Sequence, residues 1–204
     1  MRPLNEMDVL IRHSTILAIA RKAKASIQTY LSRHVSARKP FGLDSKARPK
    51  ASGDLTLVSS DGTGPFPGTS VTAGKELVHV WKVFVSKASS DHGGQADRAG
   101  LRKVFARVLT AGPGVVCSES YLVVGPYADE SHAKNAVTFL TTRTIRYLVA
   151  ASLYTQNITR DRFDFVPILS MKRTWTDIDL YALLNLTDDE VRHIETTIRP
   201  WGDA

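Results

Sequence analysis

A chain of 204 residues, 43% hydrophobic and 23% charged, has the makeup of an ordinary globular protein with room for one substantial core. Its single cysteine, Cys117, excludes an intramolecular disulfide and a multi-cysteine zinc site, and no apolar run approaches the roughly 20 residues of a membrane span. The formal charge of +7 is uneven: residues 1–50 hold eleven Lys/Arg against three Asp/Glu, and residues 175–204 hold two against seven. Such asymmetry suits a polyanionic partner for the front and a solvated or intramolecular role for the tail. Ile16–Ala20 is too short for the apolar region of a signal peptide, so the expected compartment is the cytoplasm.

Met7 to Val35 reads as one helix, with apolar residues at three- and four-residue steps and no Gly or Pro from Leu4 to Lys39. The stretch Ala37-Arg38-Lys39-Pro40-Phe41-Gly42-Leu43 sets two cations beside a proline-fixed turn and an aromatic ring, and Lys46, Arg48 and Lys50 extend the charge. That pattern suits phosphate contact and base stacking, and equally a flexible basic linker. Asp54 to Ser60 alternates as a short strand, and Asp61 to Gly68 reads as a turn and loop. No Gly-Lys-Ser/Thr follows those glycines, which excludes a phosphate-binding loop of that type.

Val80 to Ala88 is the second predicted strand, with Val83 and Val85 on one face and Lys82, Phe84 and Ser86 on the other. The polar, glycine-rich run Ser89 to Gly100 reads as a surface loop, with Lys87, His92 and Gln95 at or beyond the strand end. Leu101 to Thr110 suits a strand with a basic outer face. Tyr121 to Val124 is apolar on both faces, which predicts a central strand. Asp129 then caps a long amphipathic helix, His132 to Tyr154, with Arg143 and Arg146 on its exposed side. Thr155-Gln156-Asn157 ends that helix with carboxamides of the type that pair with adenine, although such residues are also ordinary helix terminators. Phe163 to Leu169 reads as an edge strand interrupted by Pro167. Two short helices close the chain, Ile178–Leu184 and Val191–Ile198, the second opened by the capping box Thr187-Asp188-Asp189-Glu190.

Five segments, in this order, carry a family resemblance: residues 35–43, Trp81-Lys82-Val83-Phe84-Val85-Ser86-Lys87-Ala88, residues 116–125, Phe165-Val166-Pro167, and Trp175-Thr176-Asp177-Ile178-Asp179-Leu180-Tyr181 with Leu186-Thr187-Asp188-Asp189-Glu190. Together they resemble the C-terminal target-recognition region of adenine-specific DNA methyltransferases and fused methylase–endonucleases of bacterial restriction–modification systems. The resemblance implies a part that docks on double-stranded DNA and reads sequence while a separate core transfers the methyl group. No cofactor is then expected in this chain; S-adenosylmethionine would belong to the separate methyltransferase core, itself a candidate partner. The Asn-Pro-Pro-Tyr-type motif and the glycine-rich cofactor loop of that core are not in the sequence.

The expectation is an α+β fold: a mixed or antiparallel sheet packed by a long amphipathic helix, with an N-terminal helix and two short C-terminal helices. Residues 1–36 would form a basic helix linking from a catalytic core, and residues 37–204 the DNA-binding domain. The candidate DNA contacts are Arg38, Lys39, Phe41, Lys46, Arg48, Ser86, Lys87, His92, Gln95, Ser118 and Tyr121. No catalytic or metal-ligating set is expected. Two rival readings stand beside this one: a restriction endonuclease assembling Asp54, Glu76 and Asp91 around a metal, and a protein-interaction subunit of a split methylase that docks through its acidic tail.

Overall fold

The protein is seen here in a computed structural model that describes residues 14–26, 29–89, 91, 96–153 and 155–202. Among these residues six strands make two three-stranded sheets. In the smaller sheet, β1 (Leu55–Ser59) pairs antiparallel with β2 (Gly62–Phe66) and parallel with β5 (Val115–Cys117). In the second sheet, β3 (Trp81–Ser86) lies between β4 (Val108–Ala111) and β6 (Tyr121–Tyr127), antiparallel to both. Helices α1 (Ser14–Ser26), α2 (Glu130–Thr141), α3 (Arg143–Ala151), α4 (Asp177–Leu183) and α5 (Asp188–Thr197) complete the set. The α+β class expected from the sequence is what the chain adopts, with the strands divided between two sheets instead of one.

The layering follows from the pleat. Side chains alternate across a strand, so β3 and β6 each serve two cores. Val83, Val85, Leu122 and Val124 join the larger core, under α1, α2 and α3. Phe84, Tyr121 and Val123 join a smaller core against β1, β5 and Phe66 of β2. The second sheet is thus the middle layer, with the small sheet on one face and the helices on the other. Helix α1 contributes Ile19, Ala20 and Ala23 to the larger core, and Lys22 pairs with Glu190 at 2.6 Å. Its apolar face is thus packed into the same core as α2 and α3.

Several expected elements differ, each for a local reason. The helix expected over residues 7–35 is found over Ser14–Ser26; residues 1–13, 27 and 28 lie outside the described residues, and beyond them Leu31–His34 is a short 3-10 turn between the extended residues Tyr30 and Val35. Tyr30 bridges Pro167, and the Leu31 amide donates to the Val166 carbonyl. That bridge also takes the place of the expected strand over 163–169, whose first residue, Phe163, closes the 3-10 turn Arg160–Phe163. Residues 62–66, expected as loop, are β2, paired in register from Gly62–Ser59 to Phe66–Leu55.

The strand expected over 101–110 is confined to Val108–Ala111. Upstream, the buried Asp91 carboxylate accepts from the Lys103 and Val104 amides at 2.9 and 3.0 Å, and Val104 has φ +70°. An aspartate that captures two successive amides removes them from any ladder.

The long helix expected over 132–154 is two helices broken at Thr142, whose ψ of 152° is not helical. The Thr142 hydroxyl donates to the Phe139 carbonyl at 2.8 Å and accepts from the Ile145 amide. From α4, the Asp177 carboxylate accepts from the Arg143 and Thr144 amides at 3.1 and 2.8 Å. A carboxylate at a helix N-terminus satisfies orphan donors and meets the positive end of the dipole. The break rotates Arg146 inward, against the expectation of an exposed side chain. It is fully buried, donating to the carbonyls of Thr141, Thr142, Lys103 and Arg199, with its guanidinium 5.4 Å from the Trp201 ring.

Lys82 is also fully buried. Its Nζ donates to the carbonyls of Val78, Val80 and Gly112 at 3.2, 2.9 and 3.0 Å, on the face of β3 that looks toward the small sheet. Burial lowers its pKa to about 8 and raises that of the neighbouring Cys117 thiol well above the ordinary thiol range.

Replacing Arg146 with Met leaves buried carbonyls without donors and should lower the unfolding free energy by about 3 kcal/mol in denaturant titration. The lysine and thiol shifts act in opposite directions with pH. Between about pH 8 and 10 the unfolded chain holds the Lys82 proton that the folded one has lost, so this group adds stability as pH rises. The folded chain keeps the Cys117 proton that the unfolded one sheds, so that group subtracts it. Stability of Cys117→Ala should therefore rise across this window, by at most about 3 kcal/mol. That of Lys82→Met should fall, and the natural sequence should lie between them.

Candidate nucleic-acid interface

The end of β3 and the start of β6 are paired, Ser86 opposite Tyr121. The chain reaches β6 from β5 through Ser118-Glu119-Ser120, so these three residues carry it from the small sheet to the middle one. The turn is held on both sides: the Ser118 amide donates to Val58, the Lys87 amide to Ser120 and the Tyr121 amide to Ser118. The segment before Pro40 lies along β6, where the Ser36 amide donates to the Val123 carbonyl and the Ser36 hydroxyl accepts from the Val123 amide. Three stretches far apart in sequence, at residues 36–39, 86–88 and 118–121, thereby meet.

Their charges converge on Glu119, whose carboxylate is buried. Arg38 binds it through Nε at 3.3 Å and Nη2 at 3.1 Å, Lys87 Nζ lies at 3.4 Å and Lys39 Nζ at 3.7 Å. The Arg38 hydrogen bonds, then the Lys87 and Arg38 charges, hold the Glu119 carboxyl below the usual carboxylate range. Lys39 itself has φ +57°, uncommon for a side chain other than glycine, with its carbonyl accepting from the Gly42 amide. Gly42 and Gly74, both with positive φ, allow the loop to sit down. A Cβ on Gly42 would lie 1.9 Å from the Thr72 hydroxyl, and one on Gly74 2.2 Å from the Pro40 carbonyl oxygen.

Beside this cluster opens a cleft of about 520 Å³, with Ser86, Lys87, Arg107, Glu119, Ser120 and Tyr121 among its walls. A smaller hollow of about 160 Å³ shares Lys87 with it and includes Arg38, Asn157, Thr159 and Arg160. The exposed carboxamide of Asn157 is held beside the basic cluster by the bridge between Asn157 and Ala88.

Of the residues expected to contact DNA, Arg38, Lys39, Ser86, Lys87 and Tyr121 are brought together here. Lys46 is exposed next to Ser45, which lines the cleft. The Arg48 cation is matched by Asp61 at 2.5 Å. Phe41 and Ser118 are corrected by their burial: both are fully enclosed, Phe41 in the smaller core, and neither offers a surface to a ligand. His92 and Gln95 lie outside the described residues. Reading the sequence missed Arg107, Arg160 and the central part of Glu119. A charged residue between the apolar runs Val115–Cys117 and Tyr121–Val124 was the available signal for the last.

The carboxylates weighed for a nuclease do not meet. Asp54 accepts from the Gly68 amide at 2.7 Å, Asp91 is occupied by Lys103, Val104 and Arg102, and Glu76 is exposed. Among the described residues no group of three or more His, Cys, Asp or Glu side chains is placed to hold a metal ion. Among them, too, no helix is long and apolar enough to cross a membrane. Compared with known protein families, characterised proteins and solved structures, the chain matches none.

Replacing Glu119 with Gln should lower stability at pH 7 by about 1 kcal/mol, because the partner cations are partly solvated. The carboxylate's contribution is present above the ordinary glutamate pKa and is lost as pH falls through the lowered native value. The unfolding curves of the two proteins should therefore converge in acid.

Proposed function

We propose that this chain is a DNA-recognition module of the kind that serves bacterial adenine-specific methyltransferases and fused methylase–endonucleases, acting in the cytoplasm. Methyl transfer, and the S-adenosylmethionine it needs, would belong to a separate core with which the module works. The observation that carries the proposal is the convergence of Arg38, Lys39 and Lys87 on the Glu119 carboxylate, beside a cleft whose walls hold Lys87, Arg107 and Glu119 as its one acid. Four cations against one anion leave a local excess that favours phosphate, and rigid strand ends hold two of them at fixed spacing. The ordered sequence resemblance and the basic character of residues 1–50 support the same reading.

Binding to duplex DNA, followed by fluorescence anisotropy across a salt series, tests it. The logarithm of the association constant should fall linearly with the logarithm of salt concentration, and Lys87→Ala should reduce the magnitude of the slope by about one. Affinity indifferent to salt would remove the proposal.

A further inference from the structure

The hydrogen-bonding inventory of the cleft points to a narrower ligand than nucleic acid in general. A hydroxyl has one donor and two acceptor lone pairs. The buried Ser86 Oγ accepts from both the Ala106 and Arg107 amides at 3.1 Å, so its acceptor sites are taken and its proton remains to be given. No acceptor for that proton is present among the described residues. Tyr121 repeats the pattern: its phenolic oxygen accepts from Arg107 Nη1 at 3.3 Å, and its own proton has no acceptor among the described residues. The two lie opposite each other on adjacent strands, and both line the cleft.

Lys87 and Arg107 are donors without acceptor capacity, and the Arg107 guanidinium meets the Tyr121 hydroxyl and no carboxylate among the described residues. Glu119, the one carboxylate on the wall, has both oxygens turned to Arg38, Lys39 and Lys87. The cleft therefore presents donors and positive charge to whatever enters, and its complement is a compact group rich in acceptors and negative charge.

We propose that the cleft is a phosphomonoester site, taking the terminal phosphate of a nucleotide, with Ser86 and Tyr121 donating to its oxygens and Lys87 and Arg107 balancing its charge. This rests on the reading of the same cleft as a phosphate-binding surface and specifies the phosphate. A monoester carries about −1.5 to −2 at neutral pH, against −1 for a backbone diester, and presents three terminal oxygens. It thus matches four converging donors better than a diester with two free oxygens. The smaller hollow, which shares Lys87 with the cleft, offers Asn157 and Thr159 to part of the attached nucleoside. The monoester could come from a strand terminus or from a free nucleotide; the chemistry at the cleft is the same.

Isothermal titration with four probes on the full chain tests this: 2′-deoxyadenosine 5′-monophosphate, 2′-deoxyadenosine, and the dinucleotides pd(ApA) and d(ApA). The monophosphate should bind and the nucleoside should not, and pd(ApA) should bind about tenfold more tightly than d(ApA). Tyr121→Phe keeps the packed ring and removes one donor, and should weaken monophosphate binding about tenfold. Ser86→Ala should act in the same direction, with thermal unfolding monitored because it also strands two amides.

A stronger affinity for pd(ApA) than for the monophosphate assigns the site to strand ends, and equal affinities assign it to free nucleotides. Equal binding of d(ApA) and pd(ApA), or a monophosphate affinity unmoved by Tyr121→Phe, overturns the proposal. Steep salt dependence on the blunt duplex without monophosphate binding would leave the DNA-recognition reading standing while this one falls. Monophosphate binding with a salt-indifferent duplex would do the reverse.

Discussion

The two-sided pairing of β3 with β6 is the constraint on which the rest depends. Each strand gives alternate side chains to different cores, so neither face of the middle sheet is free to meet water. A slip of register by one residue would send Val83 and Val85 toward the small sheet and Lys82, Phe84 and Ser86 under the helices. The penalty would be severe, because the smaller core supplies the carbonyls that satisfy Lys82 and the larger one supplies none that do so. Register is therefore locked by polar as well as apolar side chains. The lock fixes Ser86 opposite Tyr121, which is where the cleft begins.

What could be read from the sequence was what local pattern determines. The strand at Trp81–Ser86, the apolar strand from Tyr121, the Asp129 cap and the Thr187–Glu190 capping box all depend on neighbours a few residues away, and all are present. What could not be read was set by distant partners. Asp177 reaches back more than thirty residues to cap α3, and Asp91 disrupts the segment before β4. Arg146 looks like a surface residue in a helical projection until the break at Thr142 and the carbonyls of Lys103 and Arg199 are in place. The Thr141-Thr142-Arg143-Thr144 run was a local hint of that break, since β-branched residues lower helix propensity.

The site divides along the same line. Cations on a loop and a strand end could be picked out because charge and turn composition are local properties. Their convergence on Glu119 could not, because it joins residues 38, 87 and 119 across two sheets. Phe41 shows the opposite error: an aromatic beside cations resembles a stacking platform, but its ring was needed to fill the smaller core. In a chain with only seven phenylalanines, core demand for such a ring outweighs its use at the surface.

Strand β5 is only three residues long, and the chain leaves and re-enters the middle sheet on either side of it, through residues 112–114 and 118–120. A lysine guards each passage. Lys82 Nζ holds the Gly112 carbonyl in the first, and Lys87 Nζ pairs with Glu119 in the second. The first lysine is sealed from solvent; the second stands at the cleft. An anion that draws the Lys87 side chain toward itself would leave the second passage still held, because Glu119 keeps Arg38 and the Ser118 amide keeps the Val58 carbonyl.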